Sequence, residues 1–240
     1  MDIKRYARAA KGIAHLLFRE TSSIKYAHTW ITSFLPSHNA IVDEVPSITL
    51  QAKAWLEAYL KPDMSVFEYG SGGSTLFFAK NVKKLVSVEH DKYWYEKVSE
   101  RLSDDEFSNC EYTLLLHEPE KEPSPQRGGD DCKSYRSTVK KYEGMSFEKY
   151  VRSIDEYPDG CFDLVFVDGR ARPSCIARAL KKIRSGAFLM LDNSERKRYS
   201  NSVSLLANFQ RKDFFGIGPY KARPWQTSVW MITHEDNRHG

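Results

Sequence analysis

One stretch limits the fold more than any other: Val66-Phe67-Glu68-Tyr69-Gly70-Ser71-Gly72-Gly73-Ser74-Thr75. An apolar run leads into a glycine turn, and a helical pattern follows. Glycine lets the backbone bend sharply and lets a ligand approach the peptide groups. A helix starting there presents free N–H groups. Roughly twenty residues later, the usual offset of such a partner, a second apolar run ends in Val88-Glu89-His90-Asp91. A carboxylate at that point can accept both ribose hydroxyls of a nucleoside. Turn and acid both fall at strand C-terminal ends, so one adenosine can meet both. Gly70, Ser71, Gly72, Ser74 and Glu89 are the candidate contacts, with His90 packing beside the adenosine.

The rest of the chain repeats the alternation. Short apolar runs cover Met64 to Tyr69, Leu85 to Glu89, Tyr112 to Leu116, Phe162 to Asp168 and Ala187 to Asp192. Helical patterns lie between them at Ser74 to Lys80, Lys92 to Leu102, Phe147 to Ile154 and Cys175 to Ile183. Strands alternating with helices mean βαβ units and a mostly parallel sheet, hence an α/β fold. Runs that are apolar throughout suit strands covered on both faces. Two further strands are expected near Asp213 to Ile217 and Ser228 to Thr233. Upstream, Ser47 is a candidate cap for a helix with Leu50, Ala54, Trp55, Ala58 and Tyr59 on its apolar side. Tyr93 and Trp94 open a helix and read as core.

The acidic residue before the turn and the residue at its third glycine position decide between adenosine ligands. A dinucleotide fingerprint, G-x-G-x-x-G, asks for glycine at position 75, where this chain has Thr75. Glu68 would repel a pyrophosphate and would help hold a sulfonium and an amino group. Glu68-Tyr69-Gly70-Ser71-Gly72 resembles the E-x-G-x-G first motif of class I methyltransferases that use S-adenosylmethionine (SAM). Glu89 matches that family's ribose-binding acid. The resemblance runs from about Ser65 to the C-terminus in element order. It implies a Rossmann-like, mostly parallel seven-stranded sheet with the last strand antiparallel, with SAM as cofactor. His117 or Glu118, after the third strand, is then expected to line the adenine pocket. An unused glycine turn and an NAD-type oxidoreductase are the competing readings.

Two acids end the fourth and fifth strands, in Val167-Asp168-Gly169-Arg170 and Leu191-Asp192-Asn193. Both face the ligand edge of a parallel sheet. Asp168 is the candidate catalytic residue. Arg170, Asp192 and Asn193 are candidate substrate contacts. Asp168, Asp192 and Asn193 together offer hard oxygen ligands that would suit magnesium. That arrangement resembles the metal-dependent catechol and caffeoyl-CoA O-methyltransferases. Those enzymes carry a lysine three residues after the first acid, where this chain has Ala171. The flanking Arg170 and Arg172 stay protonated and cannot accept a proton, but they can bind an anionic group. The metal-free role is therefore preferred.

Composition narrows the setting. The chain has 240 residues, 41% hydrophobic and 28% charged, with a formal charge of +4. No clustered basic and aromatic stripe, and no N/D-P-P-Y/F motif after the fourth strand, points to a nucleic-acid acceptor. Cys110, Cys132, Cys161 and Cys175 form no C-x-x-C pair, which fits a reducing, cytoplasmic setting. No run is long enough to span a bilayer, and no signal peptide is expected. Residues 1–46 read as an N-terminal helical arm and residues 47–240 as the SAM-binding domain. Within the arm, Ile3, Tyr6, Ala7, Ala10, Ala14, Leu17 and Phe18 follow helical spacing among basic residues. Residues 3–18 therefore pack on the domain or touch an anionic membrane surface. Glu118 to Gly144 is a long polar loop, expected to act as a lid. Ser194 to Tyr199 is either a solvated face or an anion-binding rim. The whole reads as a methyltransferase acting on a hydroxyl of a small molecule or glycan, the alternative being a non-catalytic SAM-binding module.

Overall fold

The computed structural model of the chain describes residues 25–103, 105–120 and 131–234. The basic segment at 3–18, and with it the membrane reading, lies outside them. In chain order the elements are α1 (Ala27–Thr32), α2 (Leu50–Tyr59), β1 (Ser65–Tyr69), α3 (Gly73–Asn81), β2 (Lys84–Glu89), α4 (Lys92–Leu102) and β3 (Cys110–Leu114). Then come β4 (Glu118–Pro119), β5 (Met145–Ser146), α5 (Glu148–Arg152), β6 (Phe162–Val167), α6 (Arg172–Ala179), β7 (Ile183–Asp192), α7 (Ser200–Ser204), β8 (Gln210–Gly216) and β9 (Trp225–Ile232).

Seven strands form one sheet in the order β3-β2-β1-β6-β7-β9-β8. The first five pair in parallel. β9 runs antiparallel to both β7 and β8. This is the expected sheet, with its last strand reversed. Alternate strand residues face opposite cores. Phe67, Tyr69, Val86, Val88, Val165 and Val167 pack against Tyr150 of α5 and Ile176 of α6. Val66, Leu85, Leu164, Phe166 and Met190 pack against Leu56 of α2 and Phe78 of α3. Both faces are covered, which is why these strands read as unbroken apolar runs. The exposed start of β8, Gln210-Arg211-Lys212-Asp213, lines an outer edge with charge, which discourages pairing with another chain.

Several local expectations change. Ser47 does not cap α2: Thr49 precedes that helix, and its hydroxyl donates to Phe214 O at 3.2 Å. Ala58 is exposed, and Leu50, Ala52 and Leu56 form the buried side. Ile183 is not the end of a helix but the first residue of β7, paired with Phe162. Tyr93 and Trp94 are surface residues, 63% and 43% exposed. The long polar loop is not irregular throughout. Its ends join as β4 and β5, and Arg136 bridges to Ser146 and pairs with Glu120.

Residues 25–46 pack on the sheet domain. Trp30 is buried with Leu50 and Ile217, and its Nε1 donates to Lys221 O at 2.9 Å. The loop after β8 is tied to this segment through Tyr220, whose hydroxyl donates to Asp43 at 2.6 Å.

Candidate active site

The glycine turn is built by close backbone contact. Gly70 has φ of 90°, and a Cβ there would stand 2.6 Å from Gly169 Cα. A Cβ on Gly169 would overlap the Tyr150 hydroxyl. Gly70 N donates to Val88 O at 2.9 Å, and Asp168 N donates to Tyr69 O at 3.0 Å. The ends of β1, β2 and β6 are thus drawn together. Gly169 was not among the sequence candidates; its only signal was its place directly after a strand-ending acid. Gly72 is extended and faces open space, whereas a Cβ on Gly73 would strike Ala40 O. Thr75 explains why no third glycine is needed. Its Oγ1 accepts from Gly72 N at 3.1 Å and donates to Glu68 Oε2 at 2.6 Å.

Glu68 lies behind this turn, fully buried. Ser87 Oγ donates to the same Oε2 at 2.6 Å, while Oε1 makes no hydrogen bond. Burial pushes the Glu68 carboxyl up to about 7, against the opposing pull of Ser74, Ser87 and Thr75.

Glu89 is 3% exposed. Its Oε2 accepts from Ser71 N at 2.7 Å and Ser71 Oγ at 2.9 Å. Its Oε1 accepts from His90 N at 2.7 Å and Asp91 N at 2.8 Å. Burial works to raise this carboxyl, but His90 and the backbone donors outweigh it and hold it below the ordinary carboxylate value. A carboxylate offers about four lone-pair sites, and these four donors, two of them from Ser71, fill them. Ser71 Oγ has a second partner ready: Tyr112 OH at 2.6 Å, on β3. Tyr112 carries no sequence signal for this role.

His90 and His117 lie in one aromatic cluster with Tyr142 and Phe147. His90 Nδ1 lies 2.7 Å from Glu89 Oε1 as an ion-pair contact rather than an aligned hydrogen bond. Its Nε2 is 3.3 Å from Tyr142 OH. His117 stacks on Phe147 at 5.5 Å and meets the Tyr142 ring edge-on at 4.9 Å. Burial, then the charges of His90 and Lys141, lower the His117 pKa.

At the ends of β6 and β7 the decisive residue is Arg172. It is 6% exposed. Its Nε donates to Gly169 O at 3.0 Å, its Nη1 to Asp192 O, and its Nη2 to Asp168 O and, at 2.7 Å, to Asp168 Oδ1. Arg172 therefore clamps the two strand ends and is not a free anion contact. Asp168 remains partly exposed, with a 28% accessible side chain. Its Oδ2 makes no hydrogen bond with a described residue. Asp192 turns the other way. It is fully buried, and its Oδ1 accepts from Trp225 Nε1 and Thr227 Oγ1, both at 2.7 Å, from β9. Burial, then Asp168, raises the Asp192 carboxyl to about 6. Asn193 is 5% exposed with φ of 54°. Asp192 is thus buried against β9, and its Oδ2 makes no hydrogen bond. The three residues do not fit an oxygen-lined ion site, because a guanidinium holds Asp168 and Asp192 points into the sheet. Among the described residues no group of three His, Cys, Asp or Glu side chains is placed to share an ion.

No protein-family model and no curated protein matches the chain. Solved structures do. The chain is similar to an rRNA methylase from Streptococcus thermophilus, at 14% identity and TM-score 0.51, over 77% of this chain and 95% of that one. It is similar to the O-methyltransferase TomG from Streptomyces achromogenes, solved with SAM, at 15% identity and TM-score 0.51, over 75% and 77%. The chain has the class I methyltransferase fold. Within this methyltransferase fold the Gly70–Gly72 turn, Glu89, the two histidines and Asp168 all gather at the C-terminal edge of the parallel strands.

Proposed function

We propose that the chain is a SAM-dependent methyltransferase acting on a hydroxyl of a small molecule or glycan. The observation that carries this reading is the pairing of an open glycine turn with Glu89 on a sheet of methyltransferase order. Gly72 offers unfilled space above the turn. Glu89 offers a carboxylate held charged below its ordinary pKa. The Ser71 hydroxyl, with Tyr112 OH as an alternative partner, would yield its place on Glu89 to a ribose hydroxyl. Gly70, Ser71, Gly72 and Ser74 form the wall along the cofactor, and His90 and His117 flank it. Thr75 occupies the place where a dinucleotide site would have its third glycine, which argues against NAD.

SAM, when bound, supplies a methyl group on a sulfonium, and its transfer is an in-line displacement. The chain then has to position the acceptor oxygen and exclude water. Asp168 suits the first task. Arg172 fixes one carboxylate oxygen, and the other accepts the proton-bearing face of the acceptor hydroxyl. No ion is needed for that arrangement. The absence of any disulfide among the four cysteines supports a cytoplasmic setting. No helix among the described residues is long and apolar enough to cross a membrane.

Incubating the protein with methyl-labelled SAM and cell extract, followed by mass spectrometry, tests the proposal. A labelled product that depends on Asp168 supports it. Tight SAM binding with no transfer to any extract component would favour the non-catalytic module.

A further inference from the structure

The turn after Asp168 separates two arginines. Ala171 has φ of 48°, in the left-handed region, so the chain reverses between Arg170 and Arg172. Arg172 goes inward and is neutralised by Asp168. Arg170 is half-buried and lies 5.6 Å from the Tyr142 ring centre. It makes no ion pair with a described residue. A small pocket opens beside it, walled by Arg170, Ser137, Thr138, Gly169 and Tyr199. Arg198 stands 5.2 Å from the same Tyr199 ring. It too has no carboxylate partner among the described residues, and its Nε is buried without a hydrogen bond. Arg136, also in the pocket wall, is already matched by Glu120. The surplus of charge here is therefore cationic.

An unpaired guanidinium over an aromatic ring is a ready ligand for an oxyanion. Its planar donors match carboxylate and phosphate oxygens in pairs. Ser137 and Thr138 also line the pocket. Gly169 and Arg170 follow Asp168 directly, so an anion held in this pocket brings a neighbouring hydroxyl to Asp168. We propose that the pocket binds an oxyanion of the methyl acceptor, a phosphate, sulfate or carboxylate, with Arg170 as principal ligand. The acceptor is then an acidic small molecule or acidic glycan. The word acceptor rests on the methyltransferase reading; the anion binding does not.

The test is an NMR titration at constant ionic strength with inorganic phosphate, glucuronate and, as neutral control, methyl glucoside. SAM is titrated in parallel, which reads the cofactor assignment separately. Phosphate and glucuronate should shift the resonances of Arg170 and Thr138, and methyl glucoside should not. Arg170→Gln should weaken both anions by about tenfold or more, the scale of one hydrogen bond to a charged group, with SAM affinity unchanged. Arg198→Gln should weaken them less. No anion binding, or equal binding by Arg170→Gln, overturns the proposal whether or not SAM binds. Tighter binding of a short RNA, weakened as much by Lys197→Gln as by Arg170→Gln, overturns the small acidic acceptor.

Discussion

Among individual residues, what matters first is how charge is held. Burial works against the charge of Arg172, yet Asp168, Tyr199, Asp192 and Tyr150 together outweigh it and hold its pKa above the ordinary value. In return Arg172 fixes one oxygen of Asp168 and leaves the other free. Asp168→Asn should therefore lower turnover by about 10²-fold, the lower range for a positioned proton acceptor, and activity should persist in a chelator. Unchanged turnover in Asp168→Ala, measured on the true acceptor, would put the active site elsewhere. Ser71 gives a second prediction. Its hydroxyl competes with ribose for Glu89, so Ser71→Ala should bind SAM as tightly as wild type or tighter, by up to about 1 kcal/mol. A clear loss of affinity on calorimetry would mean that the hydroxyl holds the cofactor itself.

At the scale of elements, β1 and β6 meet through Gly70 and Gly169, with Tyr150 of α5 pressed against them. Gly169→Ala should cost about 1–3 kcal/mol of stability, the range for overpacking a tight site. The Tyr150 hydroxyl has no hydrogen-bond partner, so Tyr150→Phe should cost little alone and should recover much of the loss in the double variant. Denaturant melts of the four proteins check this, and additive costs would contradict it. The sheet itself was legible in the sequence because five of its strands are buried on one or both faces and announce themselves as apolar runs. The turn and Glu89 were legible because backbone closeness demands glycine and a strand end fixes the acid. What stayed hidden depends on partners far along the chain. Asp192 reads as an active-edge acid until Trp225 and Thr227 of β9 turn it inward. Arg172 reads as a free cation until three carbonyls from two strands claim it. Ile183 looks like the end of a helix because only its partner Phe162 makes it a strand.

At the scale of the whole molecule, two buried carboxyls couple folding to pH. Glu68 is raised from 4.5 to about 7, and Asp192 from 3.8 to about 6, in both cases chiefly by burial. A carboxyl that holds its proton more tightly folded than unfolded stabilises the protein below the unfolded value. That contribution fades as pH rises and is gone above the folded value. Glu68→Gln should therefore remove a loss of stability between pH 4.5 and about 7 that wild type shows. Thermal melts across that window check it, and parallel wild-type and variant curves would contradict it. The central claim, that the sheet edge binds SAM, is tested most directly by calorimetry with SAM, its demethylated product and NAD. SAM and its product should bind, NAD should not, and Glu89→Ala should weaken SAM by about 1.5–3 kcal/mol, as expected for a lost charged hydrogen-bond acceptor. Tight binding of NAD with none of SAM would contradict it.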